Sequence, residues 1–171
     1  MKFLVALGSN LGDRLANLKT AVAELRAISS SPVRKSPVYE TSPVDCPPGS
    51  PLFVNAVAGF TPRQGESPES LLAKLQALEK EFGRKPKRIV NEPRPLDLDL
   101  IAFGNEVRTT PELGLPHPRA HQRRFVLQPL SEIAPGLILP AQSKTVARLL
   151  SELPLDDSIK RLTDEEAEYG A

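Results

Sequence analysis

The stretch Leu96-Asp97-Leu98-Asp99-Leu100 alternates apolar and acidic residues without a break. Strict alternation is the pattern of a half-buried strand, whose successive side chains point to opposite faces. Leu96, Leu98 and Leu100 therefore share one face and Asp97 and Asp99 the other. A strand in which leucines alternate with carboxylates must lie at a boundary between core and water. Two carboxylates one strand repeat apart stand roughly 6–7 Å from each other and repel. Left alone they form a solvated strand face. Held together they form a pair of hard oxygen ligands suited to Mg²⁺, which takes one or two carboxylates and completes its shell with water and phosphate oxygens.

The surroundings of this strand decide between those readings. Upstream, Arg84 to Arg94 carries five cations and one acid with no apolar periodicity. Downstream, Leu115 to Phe125 holds both histidines, His117 and His121, with Arg119, Arg123 and Arg124. Carboxylates between two cationic loops suit a metal-bridged polyphosphate, whose remaining oxygens arginines clamp. A nucleic-acid groove would be basic without the acids. The net charge of +1 also argues against a general nucleic-acid or membrane-surface role.

The rest of the chain supplies the frame. Phe3 to Gly8 is a continuous apolar run, a buried strand, followed by the turn Gly8-Ser9-Asn10-Leu11-Gly12-Asp13. This turn reads either as a phosphate loop or as a tight turn with capping. It lacks both Gly-x-x-x-x-Gly-Lys-Ser/Thr and Gly-x-Gly-x-x-Gly. A helix is expected over 14–28, with Asp13 as its cap and Leu15, Leu18, Val22 and Leu25 buried. Strands follow over 33–41, where Pro37 points to an edge or a bulge, and over 52–61. Between them lies a loop with four prolines. Ser67 caps a second helix, opened by Pro68 and stopped by Gly83. After the Asp-Leu-Asp strand, 103–107 reads as a hairpin turn. Helical spacing then returns at Phe125, Val126, Leu130 and Ile133, and a short helix is expected over 144–153.

Strand, helix, strand, strand, helix, strand is the β-α-β-β-α-β order of a ferredoxin-like α/β (α+β) sheet with helices on one face. Here a C-terminal helical appendage follows it. A chain of 171 residues suits one domain, expected over 1–160, with 161–171 as an acidic, frayed tail. The single Cys46 suits a reducing compartment, and no apolar stretch is long enough to span a membrane, so a cytoplasmic location is expected. Two side chains stand out along this frame. Asn55 shares a face with Phe53 and Val57, and is either a satisfied core amide or a reader of the edge of a flat heterocycle. Glu79 lies at the border of the second helix's buried stripe.

Ala6-Leu-Gly-Ser-Asn-Leu-Gly12, Tyr39-Glu-Thr41, Phe53-Val-Asn55, Glu79 with Phe82-Gly-Arg84, Pro93-Arg94-Pro-Leu-Asp97-Leu-Asp99, Pro116-His117-Pro-Arg119 and Arg123-Arg-Phe125 stand in one particular order and spacing. In these motifs, over about residues 1–150, the chain resembles the hydroxymethyldihydropterin pyrophosphokinases. The resemblance implies an ATP-dependent diphosphotransferase of folate biosynthesis. It would pass the pyrophosphoryl group of ATP to the hydroxymethyl of a reduced pterin and release AMP.

Position by position, the resemblance implies two Mg²⁺ ions at Asp97 and Asp99, with Arg84 and Arg94 as further catalytic groups. It assigns ATP to Gln76, Glu79, Arg84, Lys87, Leu100, His117, Arg119 and Arg123, and the pterin to Thr41, Pro43, Val44, Phe53, Asn55 and Phe125. ATP and the pterin are the expected partners, with no nucleic acid and no membrane, on a monomer or weak homodimer. The chain departs from the family at Asn91, where an aromatic is common, and at Pro86, where a second arginine often stands. Lys87 is a possible substitute there, as a point charge in place of a planar fork.

Overall fold

A computed structural model describes residues 3–42, 49, 51–83, 95–156 and 158–163. The N-terminal apolar run forms β1 (Phe3–Ser9), an interior strand of the main sheet. Both of its faces are apolar because both are covered. Phe3, Val5 and Leu7 enter one core cluster, and Leu4 and Ala6 join a second on the opposite side.

Helix α1 (Arg14–Ala27) starts where the Asp13 carboxylate accepts from the Ala16 amide at 3.1 Å. Its Leu15, Leu18, Val22 and Leu25 enter the first cluster. The expected second strand is split into β2 (Arg34–Lys35) and β3 (Tyr39–Thr41), with Ser36 and Pro37 between them. Proline has no N–H to give a ladder, so the strand breaks there and resumes. Both halves pair with β4 (Phe53–Phe60).

Helix α2 (Pro68–Glu81) opens with a capping box between Ser67 and Ser70. It closes at Gly83, whose φ of +87° is the left-handed conformation that glycine adopts without strain. Strand β5 (Asp97–Phe103) follows. Its alternation is as expected up to Leu100, where Leu96, Leu98 and Leu100 all lie in the α1–α2 cluster. An irregularity in the β1–β5 pairing between Leu4 and Val5 then shifts the register by one residue. As a result Ile101 and Ala102 both serve the opposite cluster, and Phe103 returns to the first.

The hairpin expected at 103–107 is a turn only. The paired strands are β6 (Arg108–Thr109) and β7 (Gly114–Leu115), a small separate sheet. A single 3-10 turn (Ala120–Gln122) leads into α3 (Arg124–Ile133), and α4 (Val146–Glu152) follows. Val126, Leu127 and Leu130 of α3 and Val146 of α4 pack with Leu4, Val57 and Ile101. Helices on one face thus describes α1 and α2, while α3 and α4 cover the other.

Last comes β8 (Ile159–Arg161), which adds to the sheet beside β3. The main order is β5-β1-β4-β3-β8 with β2 also on β4, and every pairing recorded is antiparallel. Within the stretch expected to fray, Arg161 ends β8 and Leu162 is buried with its amide donating to the Val38 carbonyl at 2.9 Å. Residues 164–171 lie outside the described residues. No described helix is long and apolar enough to cross a membrane.

Candidate active site

Three strands bring the chemistry together. In register, Gly8 of β1 pairs with Asn55 of β4 on one side and with Asp97 of β5 on the other. The carboxamide and the carboxylate therefore stand two strands apart on one face of the sheet, with a residue that has no side chain between them. A methyl group at position 8 would meet Asn55 Oδ1 at 2.9 Å, closer than such contacts occur. Glycine is required here by proximity.

Above this row opens a cavity of about 600 Å³. Thr41, Phe53 and Asn55 line one side and Asp97 and Asp99 the other. Arg119, Gln122, Arg123, Arg124 and Phe125 line it from the chain that leads into α3. The start of α3 thus faces the cavity, and the positive end of its dipole adds to the arginines. Arg123 sits over the Phe125 ring, 5.3 Å from its centre. Asn55 is buried, and its Nδ2 donates to Thr41 Oγ1 at 2.6 Å.

The sequence did not single out the remaining wall, Leu153 to Asp156 with Ser158 and Ile159. Arg124 pins it in place, its Nη2 donating to the Pro154 carbonyl at 2.6 Å and to that of Leu153 at 3.4 Å. Arg124 Nε is buried with no hydrogen-bond partner among the described residues. Just before β8, the Ser158 carbonyl accepts from the Ser42 amide at 3.1 Å. Below it, Tyr39 Oη donates to Glu132 at 2.5 Å, and Arg161 Nε reaches the same carboxylate at 3.2 Å. Burial and this hydrogen bond push the Tyr39 hydroxyl up to about 12. Arg124 and Gln122 were missed although both lie inside the cationic run, and Ser42 although it opens the proline-rich loop. Leu153 to Asp156, Ser158 and Ile159 gave no signal, because pairing across more than a hundred residues leaves no local pattern.

Of the residues expected at the site, Thr41, Phe53, Asn55, Asp97, Asp99, Arg119, Arg123 and Phe125 line this one cavity. Four others do not. Gln76 is exposed on α2. Leu100 is buried in the α1–α2 cluster, with its side chain on the far face of β5. Glu79 is buried, and its carboxylate accepts from the Leu98 amide at 2.9 Å. His117 is half-buried, its amide donating to the Ile101 carbonyl at 2.8 Å and its Nδ1 accepting from the Arg119 amide at 3.2 Å. Burial first, then Arg123 and Arg119, hold His117 below the usual imidazole range, while Asp97 pulls it up. Pro43, Val44, Arg84, Lys87 and Arg94 lie outside the described residues. Gly8 to Asp13 does not line the cavity. The turn is a helix start, as the Asp13 cap shows.

Residues 4–135 match the family described as 7,8-dihydro-6-hydroxymethylpterin-pyrophosphokinase (HPPK). The chain belongs to this family. A Synechocystis 2-amino-4-hydroxy-6-hydroxymethyldihydropteridine pyrophosphokinase is 38% identical over 150 residues, 88% of this chain and 75% of the relative. The Haemophilus influenzae protein of the same name is 38% identical over 157 residues, 91% of this chain and 95% of its own. Among solved structures, a wild-type Plasmodium falciparum HPPK-DHPS superimposes with a TM-score of 0.70 at 13% identity. That match covers 93% of this chain and 47% of the other, and it speaks for the fold. The family match contains the carboxylate and carboxamide strands but stops before the wall at 153–159, so that side of the cavity is built by residues beyond the matched region.

Proposed function

We propose that the cavity above Gly8 is where this chain transfers the pyrophosphoryl group of ATP to the hydroxymethyl of 6-hydroxymethyl-7,8-dihydropterin. The chain is an ATP-dependent pyrophosphokinase of folate synthesis, as its family and its named relatives state. In the reaction the pterin hydroxyl oxygen attacks the β-phosphorus of ATP. The bond from that phosphorus to the α,β-bridging oxygen breaks, AMP leaves, and the hydroxyl proton is lost.

One observation carries the assignment to this cavity. The Asn55 carboxamide and the carboxylates of Asp97 and Asp99 line the same cavity, from either side of Gly8. Thr41, Phe53, Asn55 and Phe125 would take the pterin. Asn55 would meet the ring edge while the two aromatics hold its faces, and loss of such edge pairing costs about 1–3 kcal/mol. Arg119 and Arg123 would hold phosphate oxygens, and Arg84, Lys87 and Arg94 would approach from the segment before β5.

Asp97 and Asp99 fit Mg²⁺ by chemistry. They are two hard oxygen donors on the cavity side of one strand, and they leave most of the shell to phosphate and water. When bound, the ions supply charge neutralisation for the triphosphate. The other residues bind, orient and exclude water, since this chemistry depends on positioning and electrostatic stabilisation.

The strand order β5-β1-β4-β3 with α1 and α2 on one face supports reading the sheet as ferredoxin-like, with α3, α4 and β8 as its C-terminal extension. The two clusters share one sheet, which supports one domain over 1–160. A net charge of +1 and a single cysteine support a cytoplasmic protein acting on small molecules, and a monomer or weak homodimer is proposed from the family resemblance alone.

The test is detection of AMP and pterin diphosphate by mass after mixing the protein with ATP, Mg²⁺ and the pterin. Asp97→Asn and Asp99→Asn are expected to fold and to lose at least about a hundredfold in turnover. Retention of most of the activity in either variant overturns the assignment of the carboxylates.

A further inference from the structure

The turn after β1 contributes nothing to the cavity lining, yet its helix reaches both sides of it. Arg14, in the first turn of α1, presents its two terminal nitrogens to two different chain segments. Nη1 donates to the Leu52 carbonyl at 2.9 Å, and Nη2 pairs with the Glu40 carboxylate at 3.0 Å. Glu40 immediately precedes Thr41, Leu52 immediately precedes Phe53, and Thr41 and Phe53 are register partners. One guanidinium therefore bridges β3 and the residue that leads into β4, at the last rung of their ladder.

One turn further along, Asn17 makes the corresponding link to the other side. Its Nδ2 lies 3.0 Å from the Pro95 carbonyl, two residues before Asp97, and also reaches Ser9 Oγ at 3.3 Å and the Leu11 carbonyl at 3.2 Å. The amide thus joins the end of β1, the turn and the entry to β5.

We propose that the start of α1 is a two-armed staple, with Arg14 a positioning residue for the pterin side of the cavity and Asn17 one for the carboxylate side. Strand β3 is only three residues long and is cut off from β2 at Pro37, so its own ladder supplies few bonds. On its outer side β8 holds it, through register pairs and the Ser42–Ser158 bond. On the inner side Arg14 fixes Thr41 relative to Phe53. A guanidinium does this because its planar fork serves two acceptors at once, whereas an ammonium is a point charge that serves one direction at a time. On the other side β5 is the edge strand, and Asn17 supplies an anchor at its entry. Neither residue touches substrate; each acts through the backbone next to the residues that do.

The inference rests on the cavity being the pterin and nucleotide site, and the experiment separates the two ideas. Binding of a non-hydrolysable Mg-ATP analogue is titrated first. Binding of 6-hydroxymethyl-7,8-dihydropterin is then titrated with the analogue saturating. Wild type, Arg14→Lys, Arg14→Ala, Asn17→Ala and the control Asn55→Ala are compared, each with its melting temperature. Arg14→Lys is expected to weaken pterin binding on the order of tenfold, the effect of roughly one charge-assisted hydrogen bond, with analogue binding within about twofold. Asn17→Ala is expected to do the reverse. If Asn55→Ala weakens pterin binding but the Arg14 and Asn17 variants weaken both ligands equally, or lower only the melting temperature, the staple is overturned. If Asn55→Ala leaves pterin binding unchanged, the site assignment itself fails, and the staple falls with it.

Discussion

Asn55 Nδ2 donates to Thr41 Oγ1 at 2.6 Å, between two neighbouring strands, and both residues are buried. The bond uses one of the amide's two N–H donors and sets which way the carboxamide faces. Its oxygen is left on the Gly8 side, where a methyl group would meet it at 2.9 Å. A hydroxyl on β3, an amide on β4 and a glycine on β1 thus fix one hydrogen-bonding edge.

Thr41→Val keeps the shape of the side chain and removes the acceptor. The carboxamide of Asn55 then has a buried donor to satisfy, at a cost of about 1–3 kcal/mol, and turns away from its productive orientation. Pterin affinity is expected to fall on the order of tenfold, with Mg-ATP affinity unchanged. Calorimetric titration of each ligand checks this.

Gly8→Ala places a methyl group against the Asn55 oxygen. Since strands β1, β4 and β5 are locked in register, the amide has to move, and a stability loss of roughly 1–3 kcal/mol is expected. Pterin binding should fall with it. Urea denaturation and pterin titration measure the two effects, and normal pterin binding in this variant would mean that the Asn55 position is less constrained than the geometry indicates.

Glu79 accepts from the Leu98 amide, between the two aspartates on the sheet's edge strand. Glu79→Ala strands a buried N–H and is expected to cost about 1–3 kcal/mol in unfolding free energy. Glu79→Gln, which keeps an acceptor oxygen, should cost less. The comparison is made by urea melts, and an unchanged midpoint in Glu79→Ala would remove the structural role.

Tyr39, the register partner of Asn55, gives a pH signature of its own. Its hydroxyl is raised from 10.0 to about 12 in the folded chain, by burial and by its bond to Glu132. The unfolded chain releases this proton first, so the contribution of Tyr39 to stability is fully present below pH 10 and fades as pH rises toward 12. Tyr39→Phe should flatten that part of the stability profile relative to wild type. Equilibrium unfolding between pH 9 and 11 is the measurement.

Much of this protein is legible in local pattern. The period-two alternation around Asp97 and Asp99 specified which side chains share a face, and the apolar stripes with the Asp13 and Ser67 caps located α1 and α2. Pro37 pointed to an edge or a bulge, and the strand breaks there into two. Asp97, Asp99 and Asn55 stood out by type and spacing, Arg119 and Arg123 by the family resemblance, and all five line the cavity.

What tertiary structure alone decided depends on contacts between distant segments. Leu153 to Asp156, with Ser158 and Ile159, form a wall because Arg124 and β8 hold them there, and neither interaction has a local periodicity. The one-residue shift at Leu4 and Val5 moved Ala102 across the sheet and brought Phe103 back to the α1–α2 side, since only pairing between β1 and β5 defines it. Glu79 spends an oxygen on the Leu98 amide because α2 happens to lie along an unpaired strand edge. Arg14 and Asn17 read as ordinary first-turn residues of a helix. Their importance follows from where the sheet carries Leu52, Glu40 and Pro95, and register and packing, not residue type, bring those three within reach.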